Sequence, residues 1–204
     1  VFGQARLTAA TFQPKTWVKG LKQDRIKWNK KHAEKAPGRL IPDIVREFYG
    51  QAPVGQALDI ACGTGAVSLY LAGKGFRVDA LDISDVALAK FAKQHPGIRT
   101  VCADLDEFDL PVDHYNLIVN LRYLNRRLFP QIIKALKSGG VLIFETFMHS
   151  ANKALDRGFK REYLLEANEL RDAFAALETL YYAETDSGCD ETPGRVASLV
   201  GKKS

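Results

Sequence analysis

Residues 57–65, Ala57-Leu58-Asp59-Ile60-Ala61-Cys62-Gly63-Thr64-Gly65, decide how this chain folds. Ala57–Ala61 is a short apolar run of strand length, and it breaks into a turn that carries glycine at positions 63 and 65. Ala66–Lys74 then reads as a helix, with Val67, Leu69, Tyr70 and Leu71 available to face a sheet. Strand, glycine turn and helix in succession bring backbone N–H groups and a helix N-terminus to the carboxyl edge of a parallel sheet. A Cβ at Gly63 or Gly65 would collide with a ligand lying there or strain the backbone.

Downstream, the same alternation continues. Arg77–Asp82 is a second strand, followed by a helix that opens on the N-cap residue Ser84 and carries Ala87, Leu88 and Phe91 on one face. Ile98–Ala103 and Asn116–Asn120 are the third and fourth strands, Pro130–Leu136 a helix, and Gly140–Phe144 a fifth strand entered through Ser138-Gly139-Gly140. Glu166–Leu177 is expected to be helical. Leu180–Glu184 and Val196–Gly201, joined through Pro193-Gly194, lie too close for a parallel crossover and must form a hairpin. The expected architecture is α/β: a Rossmann-like, doubly wound, seven-stranded, mainly parallel sheet with a C-terminal antiparallel hairpin. Upstream, residues 1–50 read as an N-terminal helical cap or lid. Trp17, Val18, Leu21, Ile26 and Trp28 recur at helical spacing, Pro37-Gly38 interrupts, and Pro42–Tyr49 forms a second short helix. Residues 51–204 form the ligand-binding domain.

The strand ends carry acids. Asp82 closes the strand after the glycine turn, where a carboxylate can accept both hydroxyls of a ribose. The nicotinamide fingerprint G-x-G-x-x-G fails at Ser68. Asp59, just before the turn, would repel a pyrophosphate but suits a cationic amino-acid tail. These charges favour a sulfonium nucleoside over a dinucleotide.

Asp59 to Gly65, Asp82-Ile83-Ser84, Asp104-Leu105 and Leu136-Lys137-Ser138-Gly139-Gly140 resemble, in order, the landmarks of the class I S-adenosylmethionine-dependent methyltransferases. Phe144-Glu145-Thr146-Phe147, Tyr163-Leu164-Leu165 and Asn168-Glu169-Leu170 are similar to the tellurite-resistance and thiopurine-methyltransferase-like branch. The resemblance implies a methyltransferase that converts S-adenosylmethionine to S-adenosylhomocysteine. It implies that Asp59 and Gly63, with Ala61 and Gly65 of the same turn, hold the methionine part, Asp82 the ribose, and that Ile83 packs on the adenine. Asp104 would accept from the adenine amino group, Leu105 would offer a main-chain N–H, and Asn120 is expected beside the cofactor as well. Ala61 departs from the family, which often has glycine there, and Ser138 stands where proline is common.

Methyl transfer needs two reactants held in line in a dry site, and a base only if the acceptor must lose a proton. Acceptor residues should come from the ends of the fourth and fifth strands and from the cap. Arg122 and Tyr123 lie closest to the expected transfer point and could orient an anionic or polarisable acceptor. Asn120 and Tyr123 copy the outer spacing of the N-P-P-Y motif of amino-group methyltransferases, without its two prolines. Glu145, Thr146, His149 and Arg161 are expected at the rim, with His149 the candidate base; His32, His95 and His114 receive no role, and Arg126 and Arg127 read as surface residues.

Composition sets the outer bounds. The chain has 204 residues, 46% hydrophobic and 26% charged, as in ordinary globular proteins. No apolar run has the length of a membrane span and no secretory signal pattern is present, so a cytoplasmic location is expected. Cys62, Cys102 and Cys189 form no CxxC pair, which indicates neither a disulfide framework nor a metal site, and Cys62 reads as a packing residue. The net charge of +5 belongs to the cap, since 11 of the 29 Lys/Arg but only 4 of the 24 acids fall within residues 1–50. That basic segment could attract an anionic substrate, a cofactor carboxylate or nucleic acid. A small-molecule acceptor and a monomer or weak dimer are therefore expected. The alternatives are an RNA or tRNA methyltransferase that uses the basic arm, and a non-catalytic cofactor-binding protein of the same fold.

Overall fold

The computed structural model describes residues 21–34, 40–150, 159–187 and 194–204; Trp17, Val18, Pro37, Gly38, Cys189 and Pro193 lie outside them. Seven strands form one sheet: β1 (Gln56–Ile60), β2 (Arg77–Asp82), β3 (Ile98–Cys102), β4 (Tyr115–Leu121), β5 (Leu136–Met148), β6 (Glu178–Ser187) and β7 (Gly194–Lys202). Their order is β3-β2-β1-β4-β5-β7-β6, with β7 antiparallel to both neighbours and the other pairings parallel. The doubly wound sheet and its terminal hairpin are as expected.

Alternation along the strands sends side chains into two cores. Leu58 and Ile60 of β1 join Phe129, Ile132, Leu170 and Phe174 under α5 (Phe129–Ala135) and α6 (Glu169–Ala173). Ala57 joins Val67, Leu71, Leu88 and Phe91 on the opposite face, under α3 (Ala66–Gly73) and α4 (Asp85–Ala89). Both faces of the sheet are covered, as a parallel sheet requires. The strand order reverses between the parallel neighbours β1 and β4, and that switch point opens a crevice at the strand tips.

Several elements differ from the sequence reading. The α3 helix buries Val67, Ser68, Leu71 and Ala72, leaving Leu69 and Tyr70 half-buried, because Ser68 turns inward to hydrogen-bond Asp59. The helix expected over residues 166–177 shortens to Glu169–Ala173, since Asn168 sits at φ +62° and no helix runs through a left-handed residue. Strand β5 extends past Phe144 to Met148 because β7 pairs with it from Val141 to Met148. The expected cap also divides. Helix α1 (Leu21–Glu34) faces the crevice, whereas α2 (Asp43–Phe48) buries Ile44 and Val45 in the core beside α3.

Candidate functional site

A cavity of about 630 Å³ lies across the tips of β1 to β5, with α1 forming one wall. That volume suits a drug-sized or cofactor-sized ligand. Its floor begins at the glycine turn. Gly63 (φ +54°) and Gly65 (φ +78°) both take left-handed conformations, and a Cβ on Gly65 would run into the Phe91 ring. Ala61 adopts φ +53° without being glycine, at the position where related turns often carry one.

Asp82, 6% exposed at the end of β2, fixes this floor. One carboxylate oxygen accepts from the Gly63 N–H and the other from the Ser84 N–H, both at 2.8 Å. Each oxygen keeps a further lone pair, so the acid is aimed and held while remaining able to accept two hydroxyls. Ile83, Ala103 and Leu105 line an apolar slot beside it, and Asp104 lies at the slot's far side, its pKa raised by burial. Asp59 lies beneath the turn, 3% exposed, accepting from Ser68 Oγ at 2.6 Å. Burial, opposed by that bond, pushes its carboxyl up to about 7. The adjacent Cys62 thiol is raised too, chiefly by burial and then by Asp59, which keeps it protonated and suits a packing role.

Across the switch point the wall is made of Leu121, Arg122, Tyr123, Leu124, Thr146, Phe147, Phe159 and Tyr163. Arg122 is left-handed (φ +57°), its N–H donates to the Glu145 carbonyl at 2.7 Å, and its guanidinium pairs with Glu145 Oε1 at 3.2 Å. The guanidinium also lies 4.8 Å from the centre of the Phe147 ring, which stacks on Phe159. Ser198 Oγ donates to the other Glu145 oxygen at 2.6 Å and holds the pair in place. Burial raises the Tyr123 hydroxyl to about 12, so at neutral pH it is a neutral hydrogen-bonding group and not a base. Asn120, 1% exposed, donates its amide to the Tyr123 carbonyl at 2.7 Å and closes the turn between them.

Helix α1 presents two stripes. Arg25 and Asn29 bind the Asp85 carboxylate at 3.0 and 2.8 Å, and Ser84 Oγ donates to Asn29 at 2.7 Å while capping α4. The neighbouring stripe, Asp24, Lys27, Trp28, Lys31 and His32, lines the cavity. His32 stacks on Trp28, and its Cε1 lies 3.6 Å from where a Cβ on Gly63 would stand.

Of the residues singled out in the sequence, Ala61, Gly63, Asp82, Ile83, Asp104, Leu105, Arg122, Tyr123 and Thr146 meet on one cavity wall or another. Asp59, Gly65 and Asn120 sit behind that surface and shape its turns. His149 and Arg161 are not among the described lining residues; the His149 N–H pairs with the Leu165 carbonyl, and Arg161 pairs with Glu166. The structure instead brings His32 to the wall, and its only sequence signal is its spacing of one helical turn from Trp28. Phe159 and Tyr163 were also missed, because they reach the site from a segment distant in sequence. Arg126, read as surface, clamps that segment: it binds Glu169 with two nitrogens and donates to the carbonyls of Glu162 and Leu164 at 2.9 Å. Arg127 similarly reaches Asp109 and the Phe108 carbonyl. Among the described residues no His/Cys/Asp/Glu group is arranged to hold a metal, and no helix is long and apolar enough to cross a membrane.

Residues 57–140 match a family model described as a methyltransferase domain. A putative methyltransferase, YqeM of Bacillus subtilis, is 33% identical over 112 residues, covering 48% of this chain and 44% of that protein. A probable S-adenosyl-L-methionine-dependent methyltransferase, TehB of Haemophilus influenzae, is 26% identical over 166 residues, covering 72% of this chain and 57% of its relative. The chain thus spans about half the length of the curated relatives it matches. The crystal structure of the Haemophilus influenzae TehB superposes with a TM-score of 0.67 at 22% identity, covering 88% of this chain and 67% of that one. Motif order and the family match make residues 57–140 similar to a methyltransferase domain, and the fold is similar to that of the Haemophilus influenzae TehB.

Proposed function

We propose that the protein transfers a methyl group from S-adenosylmethionine to a small acceptor bound inside the cavity, by in-line displacement, with α1 as a lid. The observation that carries this reading is Asp82, set by the Gly63 and Ser84 N–H groups at the tip of β2 above a glycine turn. When bound, the cofactor supplies a carbon already activated by a positive sulfur. The protein's own part is to bind, orient and exclude water. Asp82 accepts the ribose hydroxyls, the slot of Ile83, Ala103 and Leu105 takes the purine, and Asp104 accepts from its amino group. The Gly63 turn, supported from beneath by Asp59 and Ser68, receives the methionine part. Arg122 and Tyr123 orient the acceptor: the first offers a fixed positive charge, the second a neutral hydroxyl.

Titration calorimetry with S-adenosylhomocysteine and with NAD tests the reading directly. One-to-one binding of the thioether nucleoside, with quenching or shift of tryptophan emission as α1 closes, is expected. Binding of the dinucleotide in preference to the thioether would overturn it.

A further inference from the structure

The β4 tip has a fixed hydrogen-bond polarity, and Asn125 sets it. This residue caps the 3-10 turn Arg126–Leu128 after β4, and its amide oxygen accepts from the Arg127 N–H at 3.1 Å. Its nitrogen therefore faces the other way. It donates to Asp106 Oδ1 at 2.8 Å and, more weakly, to the Leu105 carbonyl at 3.3 Å and the Tyr123 hydroxyl oxygen at 3.4 Å. A phenol that accepts from an amide keeps its own proton for another partner. Tyr123 lines the cavity, so it acts there as a donor. Arg122 stands beside it as a second donor. Glu145 Oε1 pairs with the guanidinium at 3.2 Å, and Ser198 holds the other carboxylate oxygen at 2.6 Å. A guanidinium carries five N–H donors in a rigid fork and can bridge two carboxylates. The adjoining wall is aromatic: Arg122 lies over the Phe147 ring, and Phe147 stacks on Phe159 with ring centres 4.9 Å apart. Phe159 is 37% exposed and borders the cavity, which leaves aromatic surface for a ligand to cover.

We infer that Asn125 is a positioning residue that fixes the Tyr123 hydroxyl as a donor, so that Tyr123 and Arg122 together select the anionic group of a planar organic acceptor whose ring lies on Phe147 and Phe159. The inference rests on the methyl-transfer reading above and narrows its acceptor. A cationic group would meet two donors at the β4 tip, one of them charged. An aliphatic acid would satisfy the donors but leave the aromatic wall uncovered. The Asn125 amide also touches the Asp104–Asp106 loop beside the slot proposed for the purine, so the polarity of the acceptor side is anchored on the cofactor side.

Benzoate, benzyl alcohol, benzylamine and acetate separate ring from charge. Each is titrated by NMR into the whole chain loaded with S-adenosylhomocysteine. Wild type should bind benzoate at least about tenfold more tightly than any of the other three. Lys27 and Lys31 also border the cavity, so variants of the β4 tip decide where the charge is met. Arg122→Gln should cost benzoate about tenfold and benzyl alcohol less than about twofold. Glu145→Gln removes the competing carboxylate and should tighten benzoate by about threefold, a gain that loosened packing would not produce. Asn125→Ser keeps an oxygen for the Arg127 N–H but loses the donor, and should lower the preference for benzoate over benzylamine by about threefold. Equal binding of benzoate and benzylamine by wild type would overturn the inference, as would benzoate affinity untouched by Arg122→Gln or an Asn125→Ser variant that weakens both probes alike. In each of those cases S-adenosylhomocysteine still binds and the cofactor reading stands. Failure of wild type to bind S-adenosylhomocysteine would instead remove the cofactor reading, and this inference with it.

Discussion

The β1–β3 side of the cavity is held by main chain, whereas the β4–β5 side is held by side chains that cross long stretches of sequence. On the first side Asp82 accepts N–H bonds from Gly63 and Ser84, and left-handed Ala61, Gly63 and Gly65 shape the turn, all within residues 59–84. On the second side Arg122 leans on Glu145, Glu145 on Ser198, and Arg126 on Glu162, Leu164 and Glu169. A local backbone site can serve one fixed ligand across a superfamily. A site assembled from distant side chains can change its acceptor by substitution without disturbing the sheet.

The largest effect that would break this division comes from Asp82→Ala. Two hydrogen bonds to a charged acceptor are each worth roughly 2 kcal/mol, so affinity for S-adenosylhomocysteine should fall by about 1,000-fold. Calorimetry measures the affinity, and far-ultraviolet circular dichroism should show an unchanged fold. Near-normal affinity would mean that the β2 tip does not hold the ribose.

The same division explains what was legible in the sequence. Apart from Ala61, each residue of the floor lies within a few positions of a strand end and answers to a local rule: glycine where φ is positive, an acid where a strand stops, serine where a helix begins. The hairpin was equally legible, because chain length alone forbids a crossover between β6 and β7. The Arg126 clamp was not, since its contacts cross 36 to 43 residues in the chain, and neither were Phe159 and Tyr163 in the segment that it holds. The extension of β5 to Met148 was hidden for the same reason, since its pairing partner is β7. His32 was hidden differently: a basic helix reads as a solvated face until its second stripe is seen to be used by α4. Asn168 stopped a helix that apolar spacing alone would have continued.

A second prediction concerns the charge buried beneath the floor. The Asp59 carboxyl is pushed from its ordinary 3.8 up to about 7, first by burial. An acid whose folded value lies above its unfolded one binds its proton more tightly in the native state, so its contribution to stability declines as pH rises between those values and then levels off. From pH 5 to pH 7.5 that decline is on the order of 2 to 3 kcal/mol. Asp59→Asn has no such proton to lose and can still accept from Ser68, so its unfolding free energy in urea should follow a flatter course over the same range. Parallel curves for the two proteins would show that Asp59 titrates in the folded state as it does in solvent.

Arg126→Ala tests whether the second side can be loosened separately. The arginine is partly exposed, so its ion pair with Glu169 is discounted for screening, and the loss comes mainly from its bonds to the Glu162 and Leu164 carbonyls. A drop of about 1.5 kcal/mol in stability is expected. Faster hydrogen exchange should be confined to residues 159–169, and affinity for S-adenosylhomocysteine should change by less than about twofold. A large loss of cofactor affinity would show that the two sides are one cooperative unit.

The smallest effect returns to the floor. Ala61 holds φ +53°, a conformation that places its Cβ close to the following carbonyl and costs an alanine about 1 kcal/mol. Glycine relieves that strain but gives the unfolded chain more freedom, which offsets roughly 0.5 kcal/mol of the gain. Ala61→Gly should therefore stabilise the protein by about 0.5 kcal/mol in urea unfolding and leave cofactor affinity nearly unchanged. The methyl group of Ala61 also packs against the core cluster that contains Leu58 and Ile60. If that contact outweighs the strain, the variant will be less stable than wild type, and the alanine is then held there by packing even though its backbone would be better served by glycine.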